Sequence, residues 1–197
     1  MGRTDRRPKG PPVTASGIEL RHFRDIEPVW DTLIDVYAEV RADRLHDPHY
    51  SVERYAERLA RHASEPGWEA VVGYDGDQAV GYAYGNRIEY GDRFWKRVTS
   101  PLPDTLTRTP TLALKEIMVR VPWRKTGASL AIHDSLLSQR PETQVTLMVN
   151  PLAGDGKVHR LYETWGYHDI GRSQPSPDSP VLTAMVREVA VDNTASR

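Results

Sequence analysis

The sequence predicts one mixed α/β domain, a sheet with helices on both faces, and three observations lead there. Two segments with apolar residues at helical spacing precede any strong strand signal. An Asp75-Gly76-Asp77 turn joins two β-like runs. A run at 111–121, apolar on both faces, stops at Pro122 and is followed by a helix that starts at Gly127. The order reads β-α-α-β-β-β-α-β-α-β-β, and 197 residues suit a single domain.

The elements follow in chain order. Residues 1–16 hold Pro8, Pro11 and Pro12 with little apolar content and read as a disordered tail. The domain spans 17–189, and 190–197 read as a C-terminal tail. Weak alternation over 17–23 suggests a first strand. Val29, Trp30, Leu33, Ile34, Tyr37 and Ala38 then form one apolar face, predicting a helix over 27–41 with Asp25 as its cap. Ser51 caps a second helix striped by Val52, Tyr55, Ala56, Leu59 and Ala63. Strands are expected at 68–74 and 79–88. Residues 90–110 form a long connection, of the length that is more often functional or disordered than bland.

In the strand at 111–121, simple alternation puts Leu112, Leu114, Glu116 and Met118 on one face, and Ala113, Ile117 and Val119 on the other. A helix is expected over 127–139, a short buried strand at 144–149, and an amphipathic helix through Val158, Leu161, Tyr162 and Trp165 that stops at Gly166. Strands at 167–171 and 181–189 flank a Ser/Pro loop. His133 and His159 read as ordinary helix-surface residues.

Composition narrows the function classes. The net charge of -1 gives no reason to expect nucleic-acid or acidic-membrane partners. No run approaches the ~18 apolar residues of a membrane span. Residues 1–12 are basic, and no apolar stretch follows them, unlike a secretory signal. There is no cysteine, which excludes disulfides, thiolate metal sites and a cysteine nucleophile. A cytoplasmic location is expected. His46, Asp47 and His49 share a loop, but three neighbours in one loop give no closed ligand geometry, and no metal is expected.

The chemistry points to residues 116–129. A strand ends in a proline turn, a polar loop follows, and a helix opens on small residues. The first turn of a helix has unpaired N–H groups and the positive end of its dipole, so small residues there let a phosphate approach closely. Arg124 and Lys125 add charge for a diphosphate. The spacing is not that of a nucleotide P-loop. A plain strand–helix turn with solvated basic residues fits the local features equally well.

Arg124-x-x-Gly127-x-Ser129 resembles the acetyl-CoA motif Arg/Gln-x-x-Gly-x-Gly/Ala of the GNAT superfamily of N-acetyltransferases, with Ser129 in place of the usual last residue. Leu161-Tyr162-Glu163-x-Trp165-Gly166-Tyr167 is similar to a second pattern of that family, Leu-Tyr-x-x-x-Gly-Phe/Tyr. The family's asparagine role is not carried to Asn150, because the loop that follows is long. The resemblance implies a mostly antiparallel sheet splayed between its fourth and fifth strands, and acetyl-CoA as co-substrate without a metal. It implies acetyl transfer to a primary amine of a small molecule or protein, by direct attack and without a cysteinyl acyl-enzyme. The alternative is a non-catalytic acyl-CoA-binding sensor or partner-binding module.

By the same resemblance Glu116 is the base and Tyr162 the acid that protonates the leaving thiolate. The backbone N–H of Met118 or Val119 receives the thioester carbonyl. The main chain of Arg124, Lys125, Thr126, Gly127, Ala128 and Ser129 holds the diphosphate. Asp47, His49 and Tyr50, with Phe94 and Trp95 beside Tyr90 and Asp92, are candidate acceptor-pocket residues. Homodimers are common in the family, but the sequence carries no interface signature.

Overall fold

The computed structural model describes residues 17–174 and 179–189. The expected tails at 1–16 and 190–197, and most of the Ser/Pro loop, lie outside the described residues. Seven strands form one sheet in the order β1-β2-β3-β4-β5-β7-β6. They are β1 (Glu19–Phe23), β2 (Glu69–Asp75), β3 (Gln78–Ile88), β4 (Thr111–Val119), β5 (Gln144–Val149), β6 (His168–Ser173) and β7 (Leu182–Glu188). Every neighbouring pair is antiparallel except β4 and β5. The helices are α1 (Trp30–Val40), α2 (Val52–Ala63), α3 (Arg93–Lys96), α4 (Asp104–Thr107), α5 (Ala128–Ser138) and α6 (Lys157–Thr164).

Alternate residues of β2 show how the layers divide. Val71 joins Val80, Ala83, Ile132 and Leu136 in an aliphatic core beneath α5. Ala70 and Val72 join Leu33, Tyr37, Tyr55 and Leu59 beneath α1 and α2 on the other face. Each large side chain so buried contributes roughly 1.5–3 kcal/mol. The second core is rich in aromatic rings. Tyr37 and Tyr55 stack at 3.8 Å, and the Tyr55 and Tyr82 hydroxyls share a 2.7 Å hydrogen bond.

Local signals place most of these elements. Ser51 accepts from the Arg54 N–H at 3.2 Å and caps α2 as expected. Asp25 acts one step earlier than predicted. It accepts from the Glu27 N–H and opens a one-turn 3-10 helix, Glu27–Val29, while α1 itself starts at Trp30. The 90–110 connection is more ordered than its length suggested. It contains α3 and α4, and Phe94 and Trp95 pack with Ile88 and Ala113 in a third, small core.

Two expectations are corrected. The first is the alternation along β4. Tyr84 pairs with Glu116 and Gly85 with Leu114, so Lys115 has no partner and forms a β-bulge. One extra residue reverses the faces. Leu112 and Leu114 therefore join Ile117 and Val119 beneath α5, while Met118 packs beneath α1 and α2. The bulge needs a glycine opposite it, because a Cβ on Gly85 would stand 2.4 Å from the Ala113 carbonyl oxygen. The second correction is His133, which is fully buried rather than on the surface. Its ring nitrogens bond the Tyr167 hydroxyl at 2.7 Å and Asp134 at 2.9 Å. With a partner for each nitrogen, the ring is tolerated inside.

Candidate active site

The site begins where the sheet opens. β4 and β5 pair only through Thr111↔Gln144, Leu112↔Val145 and Ala113↔Thr146, and then part. From Leu114 onward, one edge of β4 faces a gap. The main chain shows which groups it offers there. The Arg120 N–H donates to Val80, so alternate residues, Met118 included, direct their N–H groups into the β3–β4 ladder. Val119 faces the other way, toward the gap. Its carbonyl accepts from Arg124 Nε at 3.1 Å, and its N–H points to the same side. Of the two expected donors, Val119 is the one aimed at the gap.

The β4–α5 turn is shaped by backbone geometry. Lys125 and Gly127 both take left-handed conformations, with φ of 63° and 92°. Such alternation of hand turns successive N–H groups toward one concavity. Thr126 braces the turn by donating to the Trp123 carbonyl at 2.7 Å, and its hydroxyl is a distant acceptor, at 3.4 Å, for the Ala128 N–H. The first helical bond of α5 is from Ala131 to Gly127, which leaves the Ser129 and Leu130 amides at the helix mouth without intrahelical partners. Gly127, at the cap position, offers no side-chain bond of its own. The residues present therefore fit an anionic oxygen group. The Arg124 side chain donates through Nε to the Val119 carbonyl, which ties the loop to β4.

Glu116 lies just beyond the bulge on the α1/α2 side, with 16% of its side chain exposed. Arg58 of α2 approaches it at 3.6 Å. Burial raises the Glu116 pKa, against the pull of Arg58 and Arg41. Tyr162 is buried on α6, edge-on to Trp165 and Tyr167. Burial raises its pKa, and the Glu116 charge adds to the rise. Tyr162 thus lies within reach of the Glu116 charge, although the two come from different elements.

Over Glu116 opens a cleft of ≈ 550 Å³. Its walls include His49, Tyr50 and Phe94 from the expected acceptor residues. Asp47 instead accepts from the His49 N–H at 2.9 Å and caps the 3-10 turn Pro48–Tyr50. Trp95 turns into the third core. Arg41, Arg58, Arg61 and His62 also line the cleft, and sequence reasoning missed them. A signal was available. Arg54, Arg58 and Arg61 lie at i, i+4 and i+7, a polar stripe beside the apolar one of α2. Asn150, at the end of β5, accepts from the Leu152 N–H at 2.9 Å and holds the turn beyond the strand. Among the described residues there is no group of three or more acidic or histidine side chains placed to hold a metal, and no helix is long and apolar enough to cross a membrane.

Comparison with solved structures defines the class of fold. A GNAT-family acetyltransferase from Streptococcus agalactiae superposes with a TM-score of 0.64 at 14% identity, covering 89% of this chain and 97% of that one. Aminoglycoside 6'-acetyltransferase type Ii gives 0.58 at 18% identity, covering 88% and 98%. An N-acetyltransferase from Thermoplasma acidophilum, solved in complex with coenzyme A, gives 0.55 at 13%, covering 87% and 99%. At these identities the likeness establishes the fold, which is that of the GNAT acetyltransferases. No family model matches the sequence, and no curated protein matches it.

Proposed function

We propose that this protein transfers an acetyl or related acyl group from coenzyme A to an amine. The observation that carries the reading is the open mouth of α5, with its free amides, next to a strand that also presents a part-buried carboxyl of raised pKa. The fold it shares with acetyltransferases supports it, including one solved with coenzyme A.

In this reading the amides of residues 125–130 hold the diphosphate, and the Val119 N–H receives the thioester carbonyl as negative charge develops on it. The Met118 N–H, committed to β3, holds the strand in place. Coenzyme A supplies the activated thioester. Glu116 takes a proton from the ammonium form of the acceptor, which frees the nitrogen lone pair. The C–N bond forms and the C–S bond breaks. Tyr162, kept protonated by its raised pKa, gives its proton to the departing sulfur, and the second proton shed by the acylated nitrogen restores the phenol. With no cysteine in the chain, the amine attacks the thioester directly.

Calorimetry tests the reading at its base. Acetyl-CoA is expected to bind the wild-type protein in the micromolar range. A Gly127→Glu variant that keeps its circular dichroism spectrum is expected to lose that binding. It would put a carboxylate into the cradle on a backbone whose φ is 92°. Equal affinity in the two proteins, or no binding in either, overturns the proposal.

A further inference from the structure

The cleft over Glu116 carries far more positive charge than the chain as a whole. Seven arginine and lysine side chains line it against four carboxylates, while the full sequence has a net charge of -1. Local pairing absorbs part of this. Arg54 meets Glu57 at 3.0 Å, Lys115 meets Glu65 at 3.3 Å with Arg93 at 3.9 Å, and Arg58 meets Glu116. Asp92 is spent capping α3 through the Phe94 N–H. Arg41, Arg61 and Arg97 pair with no carboxylate among the described residues. The Nε atom of Arg41 is buried there without a hydrogen-bond partner.

The α2 cations stand away from the proposed diphosphate site. The cleft arginines of α2 lie on the sheet face opposite α5, whose N-terminus is the proposed diphosphate site. Their field is visible on a neighbour. His62 is pushed down to about 3, first by burial and then by Lys115, Arg61 and Arg58. A cleft of this charge repels an acceptor that is only cationic, such as a polyamine or an aminoglycoside. Its volume, ≈ 550 Å³, is that of a small-molecule site.

Resting on the acyl-transfer reading, we infer that the acceptor is a small amine that carries its own anionic group, a carboxylate or a phosphate. The amine end lies toward Glu116. The anionic end lies against the unpaired guanidinium groups of Arg41, Arg61 and Arg97. Guanidinium groups suit this role because they meet carboxylate or phosphate oxygens in pairs. The Glu116 carboxylate then meets an ammonium group, and the unpaired guanidinium groups meet an anion, so the ligand's charges match the cleft's.

The test uses the full chain, acetyl-CoA and matched acceptors. γ-Aminobutyrate is compared with its amide, phosphoethanolamine with ethanolamine, and spermidine represents a cation without an anionic group. Thiol release is read colorimetrically against a protein that contributes no thiol of its own. The anionic member of at least one pair is expected to show kcat/KM higher by roughly tenfold or more, the scale of hydrogen bonds to charged groups. The pair that shows it tells carboxylate from phosphate. In an Arg61→Gln/Arg97→Gln variant, both positions being exposed in the fold, the preferred acceptor is expected to fall to the level of its partner without the anionic group through KM. Preference for a member without an anionic group overturns the inference and leaves acyl transfer standing. If no acceptor turns over, calorimetry with γ-acetamidobutyrate and its amide decides. Tighter binding of the acid, lost in the double variant, sustains the anionic subsite against a failed transfer reading. Equal binding, or none, overturns the subsite as well.

Discussion

The β4–α5 turn and the cleft beneath α2 flank the same strand, yet they are made from different parts of the chain. The turn presents main-chain N–H groups, aimed by the left-handed Lys125 and Gly127 and braced by Thr126. The cleft presents long side chains from α2, from the segment after β3 and from the bulge in β4. A main-chain site depends on backbone conformation and tolerates many side chains. A side-chain site depends on identity at each position and can change its ligand without changing the fold. In the proposed function the first region handles what is common to acyl-CoA reactions, and the second selects the acceptor.

Substitutions separate the two. The largest expected effect on turnover is in the cleft, from Glu116→Gln. Removing a general base lowers kcat/KM on the order of 10²-fold or more, while acetyl-CoA affinity measured by calorimetry stays close to wild type. The wild-type rate should rise with pH on a limb above the usual carboxylate range, because burial raises the Glu116 pKa. The variant should lack that limb. Stability responds to the same shift with the opposite slope. A carboxyl whose folded pKa is raised stabilises the fold at low pH, and that contribution is lost as pH rises through the folded pKa, so the variant's stability profile is flatter there. An unchanged pH–rate profile would remove Glu116 from the mechanism.

Tyr162→Phe has a smaller expected effect, on the order of tenfold in kcat, since a thiolate leaves with less help than a stronger base. Binding of coenzyme A should persist, and full turnover would make Tyr162 a packing residue only. The smallest effect belongs to Lys125→Gly. Glycine relieves a left-handed backbone that costs an L-residue roughly 1–2 kcal/mol, and it loosens the unfolded chain in partial compensation. Acetyl-CoA affinity should fall less than tenfold. A larger loss would make the Lys125 ammonium part of the grip and would erase the contrast between the regions.

The same contrast governs how much could be read from the sequence. The candidate cradle lies within residues 124–130, so a glycine and a preceding proline made its turn legible, while local features fitted a plain strand–helix turn equally well. Glu116 was legible as a polar residue in an apolar strand. Its companions on that face were not, because nothing local announces the bulge at Lys115 until Gly85 is seen opposite it. Arg58 and Arg41 were hidden for another reason. They are far from Glu116 in sequence, and the reading of α2 attended to the stripe that packs rather than the stripe that faces the cleft. His133 misled because a polar residue on a helix with apolar residues all round was assigned to the outside. Its burial depends on the Tyr167 hydroxyl, more than thirty residues away.

The brief pairing of β4 with β5 has a consequence for how the molecule opens. Strands β1–β4 form one half-sheet and β5–β7 another, and their ladders meet only across residues 111–113 and 144–146. Side chains beneath α5 bind the halves together, with Leu112 and Ala83 from one packing alongside Val145 and Met185 from the other. The small core around Trp95 adds a second fastening. The joint is therefore sealed mainly by oil rather than by backbone bonds. In native-state hydrogen exchange such a joint marks a boundary between cooperative units. A molecule that touches both lips of the gap works as a splint. It ties the unfolding of the C-terminal half to its own concentration, so amide protection in β5–β7 rises with ligand.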